Sequence, residues 1–374
     1  MSAARRRDAA SPAAVRDRPD ACPGAWRRHE AADGALARFR PVGGAIAPAE
    51  LRLLARAAGT AAGTAPLEVT SRGSWQVRGL SDQGADDLAA ALSRVGGAAP
   101  LLDARGRDVP CSVVASPRSP ALDAPARTVA DALRGRTDVP GRLLVALDDG
   151  SGDVLGLDAD VTVVLGGTLH LAGTPTGLTG EPAALALAAV EAFLAVRGDA
   201  WRVAEVGAAA VAEAVIGWYR SPSERYQPVI AAPECDETLE VLPRLGEVDT
   251  STAAVLAELG DAGAVLRVTP WRTVVLRDAP ADARRRLAGL VETGPSPWST
   301  LSACVGAPRC AKSHTDVRGD LARAVAAGRA GGSLPAHWVG CARACGTPAG
   351  PVAVVEGTPG GTYRTIVRAG KVCP

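Results

Sequence analysis

Apolar positions alternate over short runs and then switch to helical spacing, and the switch happens twice in the same order. Residues 38–44 alternate into the glycine turn Gly43-Gly44, and 48–58 then place Leu51, Leu53, Leu54, Ala57 and Ala58 largely at helical spacing. Two short strands are predicted next, over 66–70 and over 71–79, where Trp75 and Val77 alternate with polar neighbours. The order returns as a strand-like run over 239–246, a helix over about 250–259, and a further strand-like run over 265–276. Val69-Thr70 matches Val268-Thr269, 25 residues after Gly44 in one copy and 22 after Gly246 in the other. Two copies of about 60 residues are too few for a stacked array, so pairing across a pseudo-two-fold axis is expected.

Between the copies, 142–147 and 161–165 read as sheet strands bounded by Asp148-Asp149-Gly150 and Gly166-Gly167. Residues 182–196 and 201–218 are Ala-rich and read as two helices, and Pro222, Pro228 and Pro233 punctuate a connector. Strands and helices in this order predict an α+β fold.

A chain of 374 residues implies two or three packed units, and an apolar share of 47% against 22% charged is the balance of a globular protein. The net charge of +1 provides no field for nucleic acid, and no apolar run is long enough for a bilayer. The triplet Arg5-Arg6-Arg7 is not followed by an apolar segment, so 1–20 is expected to be a disordered tail and the protein cytoplasmic. Of 41 basic residues only Lys312 and Lys371 are lysines.

In a reducing compartment, clustered thiols more often bind metal than form disulfides. Four of the eight cysteines fall within 304–345: Cys304 and Cys310 with five residues between them, then Cys341 and Cys345 with three between them. Four thiolates from two turns suit an iron-sulfur cluster, while zinc, the rival, usually takes cysteine pairs two to four residues apart. Cys22, Cys111, Cys235 and Cys373 are scattered and read as buried apolar thiols.

With this cysteine pattern and the paired repeats, the chain resembles the sulfite and nitrite reductase superfamily over nearly its whole length. Within it the sequence looks most like the precorrin-3B synthase family, through 21–24 (Ala-Cys-Pro-Gly), 33–38, 70–72 (Thr-Ser-Arg), 147–154 and 302–313. The resemblance implies an α+β fold with two pseudo-symmetric ferredoxin-like half-domains, at 21–97 and 233–292. It also implies two α+β domains of the nitrite/sulfite reductase type, at 98–232 and 293–374, the latter holding a 4Fe-4S cluster on Cys304, Cys310, Cys341 and Cys345. The implied reaction is oxygen-dependent hydroxylation and lactone formation on precorrin-3A, an oxidoreductase (monooxygenase) step of cobalamin biosynthesis, with electrons from an external reductase.

Planar arginines suit the carboxylates of such a tetrapyrrole. Arg72 and Arg272, in matching loops of the two copies, are the main candidates, followed by Arg78 and Arg38. A mononuclear iron for dioxygen is a second candidate cofactor; it would commonly need two histidines and a carboxylate, and no spacing among His29, His170, His314 and His337 forms that set. His337 is expected either to bond a cluster sulfur or to pack. No dinucleotide fingerprint is present at 150–156.

The family alternative is a siroheme-dependent sulfite or nitrite reductase. Its cationic positions correspond here to Cys111, Arg142 and Leu144, so two cations are missing and reduction of a small oxyanion is disfavoured. Cys111-Ser112 and Val339 also depart from the synthase pattern, which leaves a non-catalytic iron-sulfur electron-transfer paralogue as a further alternative.

Overall fold

The computed structural model describes residues 20, 22–61, 66–218, 238–348 and 350–369; the proline connector, Cys235, Cys373 and nearly all of the expected tail lie outside them. The architecture is α+β, and the described residues form four separate sheets. In the first copy, strands Gly34–Phe39, Leu67–Val69 and Trp75–Leu80 form an antiparallel sheet backed by helices Pro48–Thr60 and Asp82–Leu92. In the second, Leu239–Val241, Val265–Val268 and Val274–Arg277 form an antiparallel sheet beside helix Thr250–Asp261.

The copies interlock through the segments that follow their glycine turns. Glu247–Val248 of the second pairs with Glu68 and Leu67 of the first, and Ala45 of the first bridges to Arg267 of the second. A Cβ on Gly44 would lie 2.3 Å from the Val268 carbonyl oxygen, and one on Gly246 2.7 Å from that of Val69, so only glycine lets each strand approach. The two long helices pack on one another, and one core holds Phe39, Leu54 and Trp75 of the first copy with Leu256, Leu266 and Leu276 of the second.

The other two sheets share a pattern. Ser112–Ala115, Leu144–Asp148 and Val161–Val164 run parallel before two antiparallel strands, and Leu301–Ala303, Ala336–Val339 and Val352–Gly357 run parallel before one. The first of these sheets is covered by helices Pro182–Val196 and Ala208–Trp218. The single helix expected over 201–218 is instead two, because Gly207 at φ 101° ends Val203–Val206. Among the described residues, no helix is long and apolar enough to cross a membrane.

Candidate functional site

Parallel strands Leu301–Ala303 and Ala336–Val339 lie side by side with Ser302 opposite His337, so their C-terminal ends deliver Cys304 and Cys341 to the same edge. The Cys304 amide continues the ladder to the Trp338 carbonyl at 2.9 Å, and the Gly340 amide donates to Cys304 Sγ at 3.3 Å. Cys310 is held by its amide on the Gly306 carbonyl at 2.9 Å. All four cysteines of the spaced set line one cavity of about 290 Å³. Burial pushes the Cys304 thiol up, with Cys345 adding to the effect, so the thiol keeps its proton until a metal displaces it. Among the described residues, no three His, Cys, Asp or Glu side chains converge as a single ion would require. The four thiols line one cavity, and four cysteine sulfurs are the donor chemistry that a four-iron cluster takes.

Most of the charged side chains on the remaining wall are cations. Arg318 accounts for part of this charge and is already committed: it donates to the Cys304 carbonyl and pairs with Glu68 at 2.8 Å and with Glu247. Burial works against its charge, but the two carboxylates outweigh it and hold the guanidinium above its ordinary range. Arg78 is likewise committed, gripping Asp33 through two bonds of 3.1 and 3.0 Å. Arg38 has no carboxylate partner among the described residues; it bonds Gln76 at 2.9 Å, its Nε is buried without a partner, and burial lowers its pKa.

Arg272 stands apart. It lines the cysteine cavity and also a second one of about 480 Å³, and it has no ion pair among the described residues. Burial, then Arg318, lowers its pKa. Its backbone occupies the left-handed region at φ 69°, where the matching residue of the first copy is Gly73 at φ 62°. The two turns are closed identically, by Gly73 N–H to the Thr70 carbonyl and Arg272 N–H to the Thr269 carbonyl, both at 3.0 Å.

Arg72 falls in the second cavity only, with its Nη1 donating to the Arg142 carbonyl at 2.7 Å, and burial, then Arg202, lowers its pKa. The four arginines singled out in the sequence therefore divide: Arg38, Arg78 and Arg272 reach the cysteine cavity, and Arg72 and Arg272 the second. Sequence reasoning missed Lys312 and Arg343, both exposed on the cysteine cavity and without a carboxylate partner among the described residues. The rarity of lysine in this chain was a usable signal for the first; nothing marks the second.

The structure also bears on three other residues. Cys22 is not a buried apolar thiol, since its sulfur lies 3.8 Å from Arg38 and 3.7 Å from Arg40. Cys111 is one, fully buried in an apolar core, and burial pushes its thiol up to about 12. His337 bonds no sulfur; its ring nitrogens meet Ser302 Oγ at 2.8 Å and the Cys345 carbonyl at 3.0 Å, and burial lowers its pKa to about 4.

No protein-family model matches the chain. It is 27% identical to a precorrin-3B synthase of Sinorhizobium sp over 386 aligned positions, which cover 92% of this chain and 82% of that protein. The Mycobacterium tuberculosis NirA protein matches its fold with a TM-score of 0.66 at 20% identity, over 90% of this chain and 74% of that structure. The chain thus shares the fold of the NirA protein, and across nearly its whole length the sequence is similar to a precorrin-3B synthase.

Proposed function

We propose that this chain is a precorrin-3B synthase: it hydroxylates precorrin-3A with dioxygen and closes a ring lactone. One oxygen atom enters the macrocycle and the other leaves as water, with two electrons and two protons drawn from an external reductase in the cytoplasm. The observation that carries the reading is the arrangement around Arg272, an uncommitted guanidinium between a cavity lined by four cysteines and a larger cavity beside it.

Cys304, Cys310, Cys341 and Cys345 would hold a four-iron cluster, which supplies one-electron transfer when bound. The chain's own side chains do the rest. Arg272 and Arg38 take substrate carboxylates on the buried side, where charge-assisted bonds are strongest, and Lys312 and Arg343 take them at the open rim. Arg72 serves the second cavity, where Leu144, Leu157, Trp271 and Leu301 offer apolar surface to the ring. Arg78 supports the wall through Asp33 and leaves substrate contact to its neighbours. Cys111, protonated and enclosed, takes no part. Among the described residues no ligand set for a mononuclear iron comes together, and none is assigned.

The test is to reconstitute the protein with iron and sulfide under nitrogen, then supply precorrin-3A, a reductant and isotopically labelled dioxygen. A product carrying one labelled oxygen atom is expected. Siroheme bands in the visible spectrum together with sulfite or nitrite turnover would replace this reading with the reductase one. A loaded protein that turns over neither substrate would leave only an electron carrier.

A further inference from the structure

Of the four cysteines, three are held by the sheet or by their own loop, and Cys345 is the exception. The turn 341–347 closes on itself through the Ala344 amide to the Cys341 carbonyl at 3.1 Å and the Thr347 amide to the Ala344 carbonyl at 3.4 Å. Cys345 is exposed, and the preceding Ala344 has φ 47°, an uncommon conformation for a residue with a Cβ. Among the described residues, the hydrogen bond that ties this turn to the rest of the molecule runs from His337 Nε2 to the Cys345 carbonyl oxygen, at 3.0 Å.

The direction of that bond is fixed by chemistry. A carbonyl oxygen can only accept, so Nε2 carries the proton, and Nδ1 of the neutral ring is left as an acceptor. Ser302 Oγ, 2.8 Å from Nδ1, must then donate. Ser302 and His337 are register partners on neighbouring parallel strands, so the two-bond chain is anchored in the sheet that also presents Cys304 and Cys341. His337 is fully buried, where an unpaired ring nitrogen would be expensive, and both of its nitrogens are used. Packing alone calls for no ring nitrogen, so it does not account for an imidazole bonded at both of its nitrogens.

We propose that His337 is a positioning residue for the fourth thiol: with its tautomer set by Ser302, it pins the Cys345 carbonyl and thereby fixes where the Cys345 sulfur enters the cavity. The proposal deepens the cysteine-cluster reading and rests on it for its consequence, retention of iron. The grip on the turn can be measured without any metal.

Three variants test it: His337→Phe keeps a planar aromatic ring and removes both nitrogens, His337→Gln restores an N–H donor towards Cys345, and Ser302→Ala releases the tautomer. In reconstituted protein challenged with excess chelator, His337→Phe should lose iron about tenfold faster than wild type, as outer hydrogen-bond partners of metal ligands do. Ser302→Ala should fall between them, and His337→Gln should lie near wild type. In iron-free protein, amide exchange over 344–347 should rise about tenfold in His337→Phe while strand Val352–Gly357 keeps its protection, a local opening and not a global one. Unchanged exchange at the turn, an equal rise in turn and strand, or a Gln variant no better than Phe would each overturn the proposal. If wild type takes up no iron, the cluster reading fails, and the exchange result still decides whether His337 holds Cys345.

Discussion

In the first copy, the turn joining the two hairpin strands carries Gly73; in the second, the same turn with the same backbone bonds carries Arg272. The strands that lead into these turns differ in the same spirit. Glu68 of the first copy receives Arg309 and Arg318 from the region bearing the cysteines, whereas Arg267, its counterpart, gives to Asp123 at the start of helix Asp123–Leu133. One backbone frame thus presents an acid to one neighbour and a base to the other. The duplicated scaffold is the same in both copies at the interlocking glycines Gly44 and Gly246, and it diverges where a copy faces something particular.

Breaking the ion pairs should separate the copies most. Asp123 is the carboxylate shared by Arg267 and Arg277, at 2.6 Å from each, and both arginines are buried. Asp123→Ala leaves two uncompensated guanidiniums and should lower stability by about 4 kcal/mol in urea unfolding. Glu68→Ala should cost about half as much, roughly 2 kcal/mol, because Glu247 still pairs with Arg309 and Arg318. Although burial opposes it, Arg318 and the other guanidiniums hold the Glu68 carboxyl below its ordinary 4.5. Its contribution is therefore complete above pH 4.5 and is lost as the pH falls through the lower folded value, so Glu68→Gln should flatten the acid limb of a stability-pH curve.

The interlock should respond alike in both copies. Gly44→Ala and Gly246→Ala each force a methyl against a strand carbonyl and should destabilise by about 2 kcal/mol; a large inequality would show that the pairing is not reciprocal.

The turn pair should respond with opposite signs. Gly73→Ala should destabilise by about 1 kcal/mol, while Arg272→Gly removes left-handed strain and should stabilise by about 1 kcal/mol. The same Arg272→Gly change should weaken binding of uroporphyrin, an accessible polycarboxylate tetrapyrrole, by about tenfold in a fluorescence titration. A stable variant that binds as wild type does would remove Arg272 from the site. Smallest of all is Arg52→Ala, which deletes an exposed ion pair to Asp261 between the two long helices and should leave the thermal midpoint unmoved.

The interlocked copies are legible in the sequence because a change of period followed by a glycine turn is a local signal, and it occurs twice. The cysteine set is legible for the same reason: two short spacings on two turns. Arg272 could be found by laying one copy on the other. Arg78 could not be separated from the free arginines, since the Asp33 that captures it lies 45 residues away on the neighbouring strand hairpin. The break at Gly207 is invisible to an apolar count that continues smoothly through it. The hold of His337 on Cys345 is hidden because its acceptor is a backbone carbonyl, which no residue type announces.

The reciprocal strand exchange has a consequence for how such a protein can come into being. A solitary copy would leave Leu67–Val69, or its equivalent, with an open row of amides and carbonyls, an edge that invites association. In this chain Glu247–Val248 of the second copy covers that edge. The exchange therefore makes the stability of each copy a property of the pair, so that neither sheet is complete until both have formed.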